Sequence, residues 1–436
     1  MKDHLVIKLR ERHPDDDRIL DWVGFINDKT AVKEAVNFDV DRLLRNLGVK
    51  FWLTNEYKPA GPDWDADEMR PGLDRTYRII LQEEYALPPN VIEQLKRIPS
   101  VEDASRLKVG ESEIPAQRPA QQVSAMASLA GGRPADLIYL QYAQAMTKGL
   151  PEVRIAVLDT GVNLDHPELK GKVRKGMDFV NLQGLDTAEF IGDFSGYDEV
   201  PEDEVGHGTH VSGIVAARGL NMDEGVSPEC SLMAVRVLAT MKSGSRTVGA
   251  GIVDNINTGI KWAVDNGADV INMSLGIKHT GGGLPHEDVI RYALSKHVTV
   301  VAASGNDGSP ERYYPGALPG VIAVGAVDDG GAVTSFTSYG ANIYVVAPGL
   351  NIYSSFMQKR YAFASGTSQA SPFVCGAVGL MKSYALERGK KLGNHEISYI
   401  LKTTSDKVDS RLRNEHAGYG LLNLSDAFKL LAHLLN

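Results

Sequence analysis

The sequence contains only two cysteines in 436 residues, Cys230 and Cys375. Two isolated cysteines cannot build the disulfide framework of a small secreted domain, and they lack the paired spacing of a zinc site. We therefore expect two reduced thiols packed as small apolar side chains, with a redox switch as the less favoured alternative. The sequence also lacks a run of roughly 18 apolar residues, the length that a membrane-spanning helix needs. A membrane is therefore not an expected partner.

The sequence also has fewer basic than acidic residues. Lys and Arg number 46 against 55 Asp and Glu, which gives a net charge of -9 and a pI near 5.7. Because phosphate binding needs a concentrated Lys/Arg surface, nucleic acid is not an expected partner either. Residues 1–11 interrupt their apolar positions with charges, so they cannot serve as the apolar core of a secretory signal. We expect a cytoplasmic location.

From residue 152 onward the sequence alternates short apolar runs with helical patterns, which is typical of a parallel sheet covered by helices on both faces. The runs are rich in Val, Ile and Ala, as strands buried on both faces should be. Strands are predicted at 153–158, 232–238, 270–273, 298–303, 321–326 and 343–346. Helices are predicted at 207–217, 250–266, 286–297 and 368–388. The fold class expected for this part is α/β.

Residues 1–110 follow a different order, in which strands and helices alternate as βαββαβ. This order predicts a small ferredoxin-like α+β domain. Strands are predicted at 4–11, 49–56, 76–82 and 101–109, and helices at 39–47 and 88–97. Residues 111–134 are rich in Pro, Gln and Gly, a composition that packs poorly, so we interpret them as an accessible linker between two domains.

Two polar residues follow predicted elements in the second domain. Asp159, in Val-Leu-Asp-Thr-Gly, ends the first strand, at the sheet edge where open α/β folds place their sites, although the same fragment is also typical of a turn. His207, in Gly-His-Gly-Thr-His-Val, begins a helix with glycine on both sides. His207 and His210 could instead bind zinc, but no third ligand or HExxH spacing accompanies them.

Two further residues complete the set of candidates. Ser368, in Gly-Thr-Ser-Gln-Ala-Ser-Pro, begins an apolar helix, where backbone N–H groups can face an oxyanion, although serine is also a common helix cap. Asn306, in Ser-Gly-Asn-Asp-Gly, follows a buried strand and could donate its amide hydrogens to developing negative charge. A plain turn is the alternative for Asn306.

The order of Asp159, His207 and Ser368, together with these four motifs, resembles the subtilisin-like serine peptidases from about residue 137 to the C-terminus. The resemblance implies a subtilisin-like α/β fold and a serine endopeptidase. Ser368 would be the nucleophile, His207 the general base, Asp159 its orienting carboxylate and Asn306 the side chain of the oxyanion hole. No cofactor would be needed for the chemistry.

The resemblance also implies protein or peptide substrates, bound as an extended strand between two edges near 243–245 and 274–276. The substrate-binding residues expected from it are Gly244, Ser274, Leu275, Gly276, Ala303, Ser304 and Gly305. Asp307 and Glu311 lie near the expected pocket for the residue that precedes the cut and could favour Lys or Arg there. The alternative is that both simply face water.

Calcium is the one metal that the resemblance raises, and its site stays unassigned. The loop between Ala216 and Pro228 is shorter than in family members that hold calcium there, and Glu168 stands where they place a ligand aspartate. The acidic stretch 193–204 could bind calcium or attract basic substrate residues, but a solvated loop is the favoured interpretation.

Residues 1–110 resemble the propeptide of this family, a domain that assists folding and then inhibits. We expect a self-inhibited precursor that is cut within 111–134 and releases a catalytic domain, residues 135–436. Two other functions stay open: a maturation protease dedicated to one peptide partner, and a binding module on a non-catalytic scaffold. In the second, a catalytic residue type would be replaced, and none is replaced here.

Overall fold

The computed structural model describes residues 4–28, 30–106, 108–112, 121–123, 134–182, 187–244, 246–278 and 284–436. Their strands form two main sheets and three small ones. One main sheet is antiparallel and belongs to the N-terminal residues, and the other is parallel and belongs to the rest of the chain. The predicted fold class, an α/β domain preceded by a small α+β domain, is confirmed.

The N-terminal domain is a four-stranded antiparallel sheet in the order β2-β3-β1-β4. Its elements are β1 His4–Leu9, α1 Trp22–Asn27, α2 Phe38–Asn46, β2 Phe51–Asn55, α3 Ala66–Met69, β3 Thr76–Leu81, α4 Val91–Lys96 and β4 Val101–Arg106. Alternate strand residues such as Leu5, Ile7 and Ile79 form one core with Val40 and Leu44 of α2. Helices α2 and α4 therefore cover one face of the sheet, as the βαββαβ order predicts.

Two short strands follow, β5 Val109–Ser112 and β6 Gln121–Val123. Neither pairs with the N-terminal sheet: each adds to the edge of a strand in the second domain. Most of the predicted linker and processing region, residues 113–120 and 124–133, lies outside the described residues.

The second domain is built on a seven-stranded parallel sheet in the order β18-β17-β15-β13-β7-β10-β8. Its strands are β7 Arg154–Asp159, β8 Val173–Asp178, β9 Phe190–Ile191, β10 Ser231–Arg236, β11 Ala239–Ser243, β12 Arg246–Ile252, β13 Val270–Met273, β14 Ile277–Lys278, β15 Thr299–Ala303, β16 Tyr313–Tyr314, β17 Ile322–Val327, β18 Ile343–Pro348, β19 Ile352–Ser355 and β20 Tyr361–Ala364. Its helices are α5 Pro134–Leu137, α6 Leu140–Met146, α7 His207–Ala216, α8 Val253–Asp265, α9 Glu287–Ser295, α10 Thr367–Leu386, α11 Asn394–Thr404 and α12 Leu424–Leu435.

Helices cover both faces of this sheet, as β7 illustrates. Ile155 and Val157 belong to the core that contains α7, α10, α11 and α12, while Ala156 and Leu158 belong to the core that contains α8 and α9. Because successive strand residues point to opposite faces, a strand covered on both sides must be apolar throughout, as β7 is. The sheet edge at its carboxyl end therefore remains the accessible place for polar groups.

The N-terminal domain docks on α8 and α9 of the second domain. Tyr57 and Leu73 pack into the core on that face of the sheet. Lys261 Nζ of α8 lies 2.7 Å from Glu68 Oε1, and both side chains are almost fully buried. A contact between the His4 ring and Asp254 and an ion pair from Lys8 to Asp288 join the same two helices to β1. The interface therefore combines apolar packing with buried charge pairs.

Candidate active site

Asp159 is the last residue of β7, in the middle of the parallel sheet. Its side chain is 1% exposed, and its Oδ1 accepts hydrogen bonds from Thr160 N at 2.8 Å and from the ring of His207. The other oxygen, Oδ2, has no hydrogen-bond partner in the part of the chain that the structure describes. The Asp159 carboxylate therefore contacts the imidazole through Oδ1, which also accepts a hydrogen bond from the backbone.

His207 is the first residue of α7, and its Nδ1 lies 2.7 Å from Asp159 Oδ1. Burial lowers the pKa of the imidazole, but the charge and hydrogen bond of Asp159, helped by the charge of Asp203, outweigh it. The pKa of His207 is therefore raised above its ordinary value. Nε2 has no hydrogen-bond partner among the described residues, so it is the nitrogen that can accept a proton.

Asp203 holds the first turn of α7 in place, a role that the sequence did not reveal. Its Oδ1 accepts from Gly206 N and Thr160 Oγ1, both at 2.8 Å, and its Oδ2 accepts from Thr209 N at 2.8 Å and Thr209 Oγ1 at 2.6 Å. Burial raises the pKa of Asp203, although these hydrogen bonds act in the opposite direction. The spacing of Asp203 four residues before His207 is the only signal that could have singled it out of the acidic stretch.

Ser368 is the second residue of α10 and is 2% exposed. Its Oγ donates to Ser274 O at 3.2 Å, while Ser274 Oγ donates to Ser368 O at 2.8 Å. Ser274 directly follows β13, which is the parallel neighbour of β7. Asn272 pairs with Val157, so two residues further along each strand Ser274 lies beside Asp159. Ser368 therefore lies at the same sheet edge as the Asp159–His207 pair, although its Oγ bonds to Ser274 rather than to His207. Such bonds are often absent before substrate binds.

Asn306 lies beside the start of α10. Its Oδ1 accepts from Thr367 N at 2.9 Å and from Thr367 Oγ1 at 3.1 Å. Because the carboxamide oxygen is used in this way, the amide nitrogen is the end of the side chain that can donate to an oxyanion.

A cavity of about 370 Å³ adjoins Ser368. Among the described residues it is lined by Lys108, Val109, Ser274, Leu275, Gly276, Ile277, Lys278, Ala303, Gly305, Asn306, Tyr313, Thr367 and Ser368. The predicted substrate residues Ser274 to Gly276, Ala303 and Gly305 therefore all line this cavity. Ser304 is fully buried and its Oγ donates to Ser338 O at 3.3 Å, so its side chain does not line the cavity.

Gly244 lies elsewhere, in the turn between β11 and β12. The edge that carries an added strand is instead β12, where Gly249 pairs with Ser112 and Ile252 with Val109. A substrate-binding role for Gly244 stays a prediction.

Lys278 also lines the cavity and pairs with both acidic residues predicted to select the substrate. Its Nζ lies 2.5 Å from Asp307 Oδ2 and 2.7 Å from Glu311 Oε2, and these hydrogen bonds raise the pKa of Lys278. Tyr313 OH donates to Asp307 Oδ2 at 2.6 Å. The positive charge of Lys278 compensates one of the two carboxylates, which weakens the argument for a basic residue before the cut.

Zinc does not fit His210. Its Nε2 lies 3.1 Å from both Ile352 O and Ala362 O, which occupy it as a donor, and burial lowers its pKa to about 4. The described residues contain no group of three or more His, Cys, Asp or Glu side chains arranged to hold a metal ion. Within the acidic stretch, Asp193 and Glu204 lie near Arg236, which forms a buried ion pair with Asp178 at 2.5 Å.

The two thiols are buried and unpaired. Cys230 Sγ lies 3.6 Å from Ser383 Oγ, and burial raises the pKa of both cysteines. Both are therefore protonated packing residues, and neither is among the residues that line the cavity. No helix in the described part of the chain is long and apolar enough to cross a bilayer.

Comparison with known proteins gives one consistent family. The subtilase family model matches residues 151–420. A thermophilic serine proteinase from Bacillus sp. (strain AK1) is 40% identical over 292 residues, which are 66% of this chain and 65% of that protein. This chain therefore spans slightly less than two thirds of that relative. Thermitase from Thermoactinomyces vulgaris is 38% identical over 257 residues, or 58% of this chain and 81% of that protein.

A solved structure of the prenylagaramide maturation protease PagA resembles this chain with a TM-score of 0.54 and 28% sequence identity. The similarity covers 67% of this chain and 98% of that one. Since the family model covers more than half of the sequence, the chain belongs to the subtilase family of serine endopeptidases.

Proposed function

We propose that this chain hydrolyses peptide bonds through an acyl-enzyme on Ser368 and is made as a self-inhibited precursor. The observation that carries the proposal is the buried pair of His207 Nδ1 and Asp159 Oδ1, 2.7 Å apart, at the sheet edge where Ser368 lies in the first turn of α10. A buried imidazole with an orienting carboxylate on one nitrogen and an open second nitrogen is suited to take a proton from a nearby hydroxyl.

The reaction follows from these positions. His207 Nε2 removes the proton of Ser368 Oγ as the oxygen attacks the scissile carbonyl, and Asp159 holds the imidazole and balances its positive charge. The amide nitrogen of Asn306 and the backbone N–H of Ser368 donate to the oxyanion. His207 then passes the proton to the leaving amine, and water releases the acyl group by the reverse steps. None of these steps needs a cofactor.

Residues 109–112 support the proposed latency. As β5 they extend the N-terminal domain into the second domain and pair antiparallel with Gly249–Ile252 of β12. Lys108 and Val109 line the cavity next to Ser368. An edge strand that accepts β5 can accept an extended substrate in the same way, because backbone hydrogen bonds carry no sequence information. We therefore propose that residues 1–110 compete with protein or peptide substrates until the region 111–134 is cut, which frees residues 135–436.

A second candidate is a maturation protease that acts on one peptide partner. One observation favours it: the structural neighbour PagA is itself described as a maturation protease. The two candidates share the same chemistry and differ only in substrate range. A non-catalytic binding module has no comparable support, because the residue types at positions 159, 207 and 368 are all those of an active enzyme.

The test compares purified full-length wild type with Ser368→Ala, each incubated alone and followed by intact mass. We expect wild type to lose an N-terminal fragment that ends within residues 111–134 and then to hydrolyse a denatured protein substrate. Ser368→Ala should remain full length and inactive. Hydrolysis without shortening would remove the latency and keep the enzyme, whereas inactivity of wild type after removal of residues 1–134 would refute the enzyme.

A further inference from the structure

Glu168 is the residue that the resemblance aligns with a calcium ligand, yet its carboxylate already accepts three hydrogen bonds. The side chain is fully buried, just before β8. Oε1 accepts from Asn221 N at 2.7 Å and from Tyr361 OH at 3.1 Å, and Oε2 accepts from Leu220 N at 3.0 Å. Three hydrogens therefore point at the two oxygens that a cation would need.

This donor set does not fit calcium. The ion takes six to eight oxygen ligands at roughly 2.3–2.6 Å, and a carboxylate oxygen offers it a lone pair. Both lone pairs of Glu168 Oε1 are used, and the backbone groups nearest to the carboxylate present N–H rather than C=O. No cluster of three or more acidic, His or Cys side chains exists here or elsewhere in the described chain. A cation at this position would face the positive ends of two peptide dipoles.

The carboxylate joins three separate parts of the second domain. Leu220 and Asn221 belong to the loop that follows α7, the helix that begins at His207. Tyr361 begins β20, which leads into α10 and Ser368. Asn221 Nδ2 also donates to Tyr361 OH at 3.1 Å, which closes a ring of hydrogen bonds around Glu168. The loop, β20 and the segment before β8 are therefore fixed to one another by a single buried side chain.

We infer that Glu168 takes over in this chain the structural role of a calcium ion, so that its hydrogen bonds hold loop 217–226 independently of calcium. The short length of loop 217–226 agrees with this inference. Its backbone amides reach inward to a glutamate, whose side chain is one methylene longer than that of the aspartate found in calcium-binding relatives. The inference concerns stability only and does not depend on the proposed reaction.

The test measures amide hydrogen exchange at Leu220 and Asn221 in Ser368→Ala protein, which removes self-digestion. We expect both amides to be equally protected in EDTA and in millimolar calcium. Glu168→Gln replaces one acceptor oxygen by an NH2 group that faces donors, so exchange at these amides should become about tenfold faster or more in both solutions. Asp165→Asn is the matched control, since Asp165 is exposed and three residues away, and it should leave both amides unchanged.

Loss of protection at Leu220 and Asn221 in EDTA, with recovery in calcium, would overturn the inference. This comparison of EDTA with calcium, made on Ser368→Ala protein that retains Glu168, decides the question even if Glu168→Gln fails to fold. A calcium-dependent rise in Tm that leaves these two amides unchanged would locate a cation in another part of the protein and would support the inference for this loop.

Discussion

Asp203→Asn tests how the structure holds His207 at the start of α7. The substitution keeps Oδ1, which accepts from Thr160 Oγ1 and Gly206 N at 2.8 Å and from Val205 N at 2.9 Å. It replaces Oδ2 by an NH2 group that faces two donors, Thr209 N at 2.8 Å and Thr209 Oγ1 at 2.6 Å. Two hydrogen bonds to a charged group are lost, each worth about 1.5–3 kcal/mol. Removing the buried charge offsets part of this loss, because burial raises the pKa of Asp203.

The expected net loss in the free energy of unfolding is therefore about 2–4 kcal/mol. The assay is urea unfolding of Ser368→Ala protein with and without Asp203→Asn, in which the midpoint should fall at an unchanged m-value. Asp198→Asn is the matched control: its side chain is in the same acidic stretch but exposed, so it should change stability by less than about 0.5 kcal/mol. Equal midpoints for the two variants would refute the role given to Asp203.

Three other substitutions address the proton acceptor, the substrate pocket and the domain interface. Asp159→Asn should lower kcat by about 10⁴-fold and shift the acid limb of kcat/KM to lower pH, because Asp159 is what raises the pKa of His207. Lys278→Ala removes the cation that pairs with Asp307 and Glu311 and compensates one of their two charges, so the relative rate of cleavage after Lys or Arg should rise about fivefold in a peptide library. Glu68→Gln removes a buried partner of Lys261 and should weaken docking of the N-terminal domain by about 2 kcal/mol, which would shorten the latent period of the full-length chain.

The controls and contrary outcomes for these substitutions are as follows. In Asp159→Asn the acid limb of kcat/KM must move to lower pH rather than to higher pH, because the protonated form of His207 is the inactive one. Lys242→Ala alters an exposed lysine of β11 and should leave the library profile unchanged. Glu93→Gln alters an exposed residue of α4 and should leave the latent period unchanged. An unaltered latent period in Glu68→Gln would show that the ion pair does not contribute to docking.

The apolar periodicity of the sequence was sufficient for six of the seven strands of the parallel sheet and for four of the eight helices, α7 to α10, that the structure describes in the second domain. Strand β13 agrees residue for residue with the prediction, β15 begins one residue later than predicted, and β7 is shifted by one residue at both ends. Edge strand β8 was missed because Arg174 and Lys175 interrupt its apolar pattern. Helix α8 begins at Val253 rather than at 250, because residues 246–252 form β12 instead.

The site residues that stand in short motifs could be predicted from the sequence. The residues whose role depends on contacts with distant parts of the chain could not. Asp159, His207, Ser368 and Asn306 stand in short fragments that can be recognised singly, although their roles remain predictions. Glu168 could be placed only by its resemblance to a ligand position, and its hydrogen bonds come from residues 52 to 193 positions away. Contacts of that range depend on the folded chain, and no local pattern encodes them.

The central claim is that the buried Asp159–His207 pair activates Ser368. The most direct measurement is labelling of the self-processed protein with a fluorophosphonate, followed by mass mapping of the modified residue, in parallel with His207→Ala protein from which residues 1–134 have been removed. We expect one modified residue, Ser368, in wild type and no labelling in His207→Ala. Modification of a different serine, or equal labelling of Ser368 without His207, would contradict the claim.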